Sequence, residues 1–316
     1  MNNILPIFRF LQTKTEAGQK TALITLIDVT GASTRNPGAH MAVAEDGSST
    51  GSFSGGCIET AVVAEALAVI EAGHPREVRF GAGSRYLDIR LPCGGSIDLL
   101  FTPIVDGEMI SDIHDRVTRR EPLTIMLNSD SRDIRCEAQH SQKISVEREG
   151  AQIWVHHIPT AKIIVLGHGP SVESLVRLSA SCGIDAAILS PDPMVIEALE
   201  GLTVSADLLK TPQATALLDP DPWTACIFYF HDHDWEGALM KQALFSSAFY
   251  IGAMGSRKTH EIRQQNLRTL GVTDEALGRM TAPIGLIPST RDPATLALST
   301  LAEVVESYHR HFGGRP

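Results

Sequence analysis

Lys162–Ser190, KIIVLGHGPSVESLVRLSASCGIDAAILS, decides the fold of the second half of the chain. KIIVLG (Lys162–Gly167) is a strand-length run rich in β-branched residues that ends in glycine. SVESLVRLSASCG (171–183) has helical composition, and IDAAILS (184–190) is a second apolar run. Strands alternating with helices of about ten residues imply parallel βαβ units. The alternation continues downstream. VIEALEG (195–201) reads as a helix, ACIFYF (225–230) as a strand, WEGALMKQALFS (235–246) as a helix and AFYIGAMGS (248–256) as a strand entering a turn. THEIRQQNLRTLG (259–271) and ATLALSTLAEVVESYHRH (294–311) are closing helices, the last started by Asp292 as N-cap and Pro293 at N1.

Upstream of Pro159 the pattern changes. Leu23–Val29 reads as a buried strand, Thr30–Met41 as a loop dense in Gly, Ser, Pro and Asn, and Ala42–Ala44 as the return strand. Asp46-Gly47, within Glu45–Ser49, is a hairpin signal. IETAVVAEALAVIEAG (58–73) is a helix closed by Gly73. Arg76–Phe80, Leu87–Arg90 and Ser96–Phe101 are strand candidates, and His114–Arg120 is weakly helical. Short alternating segments from Pro122 to His157 suggest a small antiparallel sheet. The fold class is therefore α/β: an N-terminal mixed α+β domain over 1–158, then a Rossmann-like parallel-sheet domain over 159–316.

Two domains also suit the length, because 316 residues exceed the roughly 250–300 at which single cores stop growing. The formal charge of −10 gives no broad footprint for nucleic acid or anionic lipid. No stretch approaches the roughly 20 apolar residues of a membrane-spanning helix. The first residues, MNNILPIFRFLQTKTEAGQK, lack a basic n-region and do not read as a signal peptide. Five cysteines without CxxC spacing argue against a disulfide framework or zinc ribbon, so a cytoplasmic protein with reduced thiols is expected.

Four clusters can carry chemistry. The first pairs Gly55-Gly56-Cys57 with Cys93-Gly94-Gly95. Glycine pairs let the backbone approach a ligand, and a thiol where a helix begins favours the thiolate, which binds soft metals. The second is Gly167-His168-Gly169 between strand and helix, where a Rossmann domain accepts phosphate. Val172 holds the third glycine position of the dinucleotide fingerprint, and Ser190-Pro191-Asp192 replaces the acidic end of the second strand. The third, His231-Asp232-His233-Asp234, follows the ACIFYF strand and suits a metal or a general base. The fourth is Gly255-Ser256-Arg257-Lys258, where a serine N-cap and two cations suit a phosphate. An NAD(P)-dependent oxidoreductase using His231 or His233 as acid/base, and a scaffold whose Rossmann half only mediates association, stay open on these residues alone.

TGASTRNPGAHMAV, DGSSTGSFSGGCIE and LPCGGSIDLLF, with FHDHD and YIGAMGSRKTHEIR downstream, resemble the XdhC/CoxI family over roughly residues 20–307. The resemblance implies a molybdenum-cofactor (molybdopterin) chaperone that delivers the cofactor, in sulfurated form, to a xanthine dehydrogenase-type hydroxylase. It gives Cys57 and Cys93 the places of the family's motif cysteines, as metal-binding thiols, and Glu59 that of the acid after the first. Arg35, Pro37 and Gly38 fall in the family's loop, and His40 stands where Lys or Arg is more usual. The family's nucleotide loop reads like GAGHVG, whereas here His168 precedes the second glycine and Pro170 fills the histidine place, which argues against tight NAD(P). The cofactor-binding set expected is Arg35, Gly55, Gly56, Cys57, Glu59, Cys93, Gly94, Gly95, Gly167, Gly169, His231, His233, Ser256 and Arg257. The implied partners are a molybdenum hydroxylase subunit, a cysteine desulfurase and a second copy of the chain as a homo-oligomer.

Overall fold

The computed structural model describes residues 3–84, 94–138, 144–230 and 233–313. The chain divides into two compact units at Pro159/Thr160. The strand expected at Leu87–Arg90 lies outside the described residues, as do Cys93, His231 and Asp232.

The first unit opens with a helix that the sequence reading did not anticipate, α1 (Leu5–Glu16). Pro6 sits in its first turn, where a missing N–H removes no helical bond, and Ile7, Phe8 and Leu11 are buried. Then come β1 (Thr21–Thr30), β2 (His40–Ala44), β3 (Ser49–Thr50), α2 (Glu59–Ala72), β4 (Arg76–Gly81), β5 (Ser96–Ile104) and α3 (Gly107–Thr118). The five strands form an antiparallel sheet ordered β3-β2-β1-β5-β4. Asp46-Gly47 makes the β2–β3 turn with Gly47 at φ 81°, and Gly73 ends α2 at φ 67°, both as the turn chemistry requires. β6 (Leu123–Asn128), β7 (Ile134–Ala138), β8 (Ser145–Glu149) and β9 (Gln152–His157) form the small antiparallel sheet, ordered β7-β6-β9-β8.

The period-two alternation of β1 and β2 splits their side chains between two cores. Ala22, Ile24, Leu26, Met41 and Val43 pack with Val62, Ala66 and Val69 of α2. Leu23 and Ala42 face Phe8 and Leu11 of α1, Ile110 and Ile113 of α3, and Ile125 and Val155 of the small sheet. Pairing of Thr30 with Ser96, and of Gly81 with Ser96, brings the end of β1, the start of β5 and the end of β4 to one edge.

The second unit has a six-stranded parallel sheet ordered β12-β11-β10-β13-β14-β15. Its elements are β10 (Lys162–Gly167), α4 (Pro170–Ser181), β11 (Asp185–Ser190), α5 (Pro193–Ala198), β12 (Ser205–Leu208), β13 (Thr224–Tyr229), α6 (Gly237–Leu244), β14 (Tyr250–Ala253), α7 (Arg257–Thr269), α8 (Asp274–Leu277), β15 (Met280–Thr281) and α9 (Pro293–Phe312). The chain runs outward from β10 to one side through β11 and β12, then returns to the other side at β13. In a sheet of this kind that reversal opens a crevice at the carboxyl ends of the strands. Val172, Leu175, Ala297, Leu301 and Val304 of α4 and α9 cover one face, and Leu239, Met240, Ala243 and Leu267 of α6 and α7 cover the other. Among the described residues no helix is long and apolar enough to cross a membrane.

Candidate functional site

In the first unit the loop leading into α2 is built around one carboxylate. Glu59 Oε1 accepts from Ser52 Oγ (2.6 Å), Phe53 N (3.0 Å) and Ser54 N (2.9 Å). Its Oε2 accepts from Ser54 Oγ (2.8 Å), Gly56 N (2.8 Å) and Ile58 N (3.2 Å). Ser52 Oγ takes the Gly55 amide (3.0 Å), and Ser54 Oγ takes those of Cys57 (3.0 Å) and Ile58 (3.1 Å). The backbone donors over 53–58 are thus satisfied by three side chains, and Gly55 and Gly56, at φ 73° and 120°, supply the turn. Burial alone would push the Glu59 carboxyl up, but the Ser52 and Ser54 bonds outweigh it and hold it at about 2. Cys57 stands exposed on this frame as a free thiol.

A second loop meets the first, and the segment after Cys93 in turn meets that second loop. Thr34 Oγ1 donates to Phe53 O (2.6 Å) and Arg35 Nε to Ser52 O (3.3 Å), which ties the β1–β2 loop to the Cys57 loop. Gly95 lies against the end of β1 so closely that a Cβ there would stand 2.5 Å from Thr30 O and 2.9 Å from Ala32 O. Gly95 is buried and Gly94 exposed. The segment that follows Cys93 in sequence is therefore fixed against the β1–β2 loop.

His40 is turned inward. Its Nε2 lies 2.9 Å from His157 Nε2 and its Nδ1 lies 3.0 Å from Thr25 Oγ1. Burial is the main reason that both imidazoles stay neutral, His40 down to about 3 and His157 well below its ordinary value. A neutral, inward-facing imidazole does not present the cation that a Lys or Arg would place here.

In the second unit a cleft of about 910 Å3 opens at the carboxyl edge of the sheet. It is lined by Pro170 and Ser171, by Gly255, Ser256 and Arg257, and by the loop from Pro283 to Pro293. The N-termini of α4, α7 and α9 therefore converge on it. Ser256 Oγ caps α7 by accepting from Thr259 N (3.1 Å), and Asp292 caps α9 by accepting from Thr295 N (2.8 Å). Arg257 and Arg291 are exposed in the lining. The base of the 283–293 loop is anchored, since Glu303 Oε2 accepts from Gly285 N (2.7 Å) and Tyr250 Oη (2.5 Å), and Ser299 Oγ from Ile287 N (2.7 Å). Burial, reinforced by Glu303, keeps the Tyr250 hydroxyl protonated. Amide-rich helix starts and two guanidiniums are the groups that an anion would need in such a cleft.

The glycines of the β10–α4 turn lie near this edge. Gly167 passes so close to β13 that a Cβ would meet Tyr229 O at 2.6 Å, and Gly169 is the N-cap of α4 at φ 79°. Val172 is fully buried, and Asp192 caps α5 by accepting from Met194 N (2.9 Å). His231 lies outside the described residues. His233 begins a short 3-10 turn, and only its backbone is described. Among the described residues no group of three or more His, Cys, Asp or Glu is placed to hold a metal. The sequence reading missed Arg291 and the Ser52/Ser54 pair. The serines were legible as capping residues spaced before a glutamate, whereas Arg291 reaches the cleft only through the tertiary fold.

These features define a class: a two-unit α/β protein with a Rossmann-like half and an N-terminal half carrying a glycine-flanked cysteine loop. Residues 15–81 match the XdhC and CoxI family, and residues 163–304 match the XdhC Rossmann domain. The chain is 32% identical to the molybdenum cofactor insertion chaperone PaoD of Escherichia coli strain K12 over 298 residues, covering 94% of this chain and 86% of that protein. It is 22% identical over 295 residues to YqeB of the same organism, covering 93% of this chain but 44% of that protein. A crystal structure of a xanthine dehydrogenase from Bacillus halodurans superposes with a TM-score of 0.77 at 21% identity, covering 96% of both chains, and so shares the fold. The chain belongs to the XdhC and CoxI family.

Proposed function

We propose that this protein binds the molybdenum cofactor and hands it, in sulfurated form, to a molybdenum hydroxylase of the xanthine dehydrogenase type. The observation that carries the proposal is the exposed Cys57 thiol on a loop whose amides are already paired by Ser52, Ser54 and Glu59. Molybdenum held by a pterin dithiolene is a soft centre that thiolates suit as ligands. In this reading Cys57 and Cys93 hold the metal, Gly55, Gly56, Gly94 and Gly95 let the cargo approach the backbone, and Arg35 faces its polar edge. Glu59 shapes the loop rather than touching the cargo. In the second unit, as a site of its own, Ser256, Arg257 and Arg291, with the glycine turn at Gly167 and Gly169, take an anionic group such as a phosphate. A cysteine desulfurase supplies the sulfur, and a second copy of the chain completes the working assembly.

The test is the molybdenum content of the purified protein and its ability to activate an apo-hydroxylase. Cys57→Ser and Cys93→Ser should each lower both while circular dichroism stays unchanged. Cyanide-releasable sulfur on the bound cofactor would support the sulfurated form. Wild-type molybdenum content and wild-type activation in the double variant would overturn the proposal.

A further inference from the structure

Behind the cationic lip of the second-unit cleft lies a buried ion pair. Arg263, on the second turn of α7, is 3% exposed, and Glu236, at the start of α6, is 2% exposed. Arg263 Nε and Nη2 donate to the two Glu236 carboxylate oxygens at 2.9 Å each, and Nη2 also donates to Met254 O at 2.8 Å. The pair therefore joins three pieces of backbone: the turn after β13 that leads into α6, the end of β14, and α7 itself.

Stability does not account for this arrangement. A buried ion pair is generally no more stabilising than apolar side chains of the same volume, because desolvation offsets the attraction. Here the balance is worse, since Arg263 Nη1 is buried without a hydrogen-bond partner among the described residues, and an orphaned donor costs free energy. What the planar fork supplies is geometry. By gripping the carbonyl of Met254 it fixes the residue immediately before Gly255-Ser256-Arg257. Gly255, at φ 132°, holds a conformation that other residues rarely adopt, and a Cβ there would crowd the Thr259 methyl at 2.8 Å.

We infer that the Glu236–Arg263 pair is a positioning device: it holds the Gly255–Arg257 turn so that the α7 amides and the Arg257 guanidinium face an anion in the cleft. The inference rests on the reading of that cleft as a phosphate site. It explains why a charged pair is retained where apolar packing would serve stability, and it makes both residues determinants of affinity although neither lines the cleft.

The experiment compares the wild type, Arg257→Ala and the double variant Glu236→Met with Arg263→Met. Thermal melting, amide exchange over residues 255–258, and titration with inorganic phosphate are measured at two salt concentrations. The double variant should melt close to the wild type, yet exchange faster at residues 255–258 and bind phosphate roughly tenfold more weakly, with a flattened salt dependence. Arg257→Ala should weaken binding without faster exchange. Unchanged exchange and affinity in the double variant, alongside weakened binding in Arg257→Ala, would overturn the positioning role and leave the cleft reading standing. Unchanged affinity in Arg257→Ala would remove the cleft reading and the inference with it. Should the double variant fail to fold, Glu236→Gln, which keeps the shape but removes the charge, is measured the same way and must show the same faster exchange.

Discussion

The helix that starts beside Cys57 and the helix that starts beside the second-unit cleft treat their N-termini in opposite ways. At α2 an acid in the first turn, Glu59, turns back and takes up the amides of the loop that leads into the helix, so its carboxylate stands at the positive end of the helix dipole. At α7 there is no acid in the first turn. Ser256 caps one amide, and Arg257 and Lys258 add positive charge where the dipole disfavours it. One helix start is electrostatically satisfied and frames a thiol. The other is left unsatisfied and suits an anion from outside. A sequence motif before a helix thus gains its meaning from the charge in the first turn as much as from its glycines.

The largest effect expected is on acid stability, and it separates the two units. The His40–His157 pair and Glu59 all lie in the first. An unfolded His40 takes a proton near 6.5 and the folded one only near 3, so stability is full above 6.5 and drains as the pH falls through that window. For Glu59 the unfolded value is 4.5 and the folded one about 2, so its contribution is complete above 4.5 and lost as the pH falls towards 2. Amide exchange followed by mass spectrometry from pH 7 to pH 2 should show the first unit opening in two overlapping stages. His40→Gln should flatten the upper window and Glu59→Gln the lower. Exchange that rises equally in both variants would break the assignment.

Glu59→Ala should come next. Several hydrogen bonds to an ionised group are lost, partly replaced by water, for about 2–4 kcal/mol by urea denaturation. Arg257→Ala sharpens the contrast with the opposite balance. If the cleft takes an anion, the substitution should weaken phosphate binding by about 1.5–3 kcal/mol in a titration while leaving the melting temperature equal or slightly higher. The smallest effect is that of Lys258→Ala, which should stabilise the ligand-free protein by about 0.3–1 kcal/mol, because one cation leaves the positive end of α7. A destabilised Lys258→Ala protein would mean that the α7 N-terminus is already neutralised from within.

Much of the second unit was legible because parallel strands buried on both faces become continuous apolar runs, as in KIIVLG and ACIFYF. β12 (Ser205–Leu208) was not, since SADL is short and sits largely exposed at the sheet edge. Helix α1 escaped for a related reason. Its buried face is only Ile7, Phe8 and Leu11, and Pro6 and Arg9 break up the short apolar stretch ILPIFRFL (4–11). Of the first-unit loops, the glycine and cysteine positions could be read locally. The contact of Gly95 with Thr30 and Ala32 could not, because it exists only once β1 and β5 pair. Glu59 is instructive in another way: its place after the cysteine suggested a ligand, and the fold shows both oxygens engaged with its own loop.

The frame around Cys57 also bears on how a cargo would come and go. A loop whose amides are already bonded to Ser52, Ser54 and Glu59 incurs its ordering entropy when the chain folds, not when a ligand arrives. Occupation and release then leave its backbone where it was. Exchange at such a site is governed by the bonds to the cargo, so residence time should track the strength of the thiolate contact rather than any slow rearrangement of the loop.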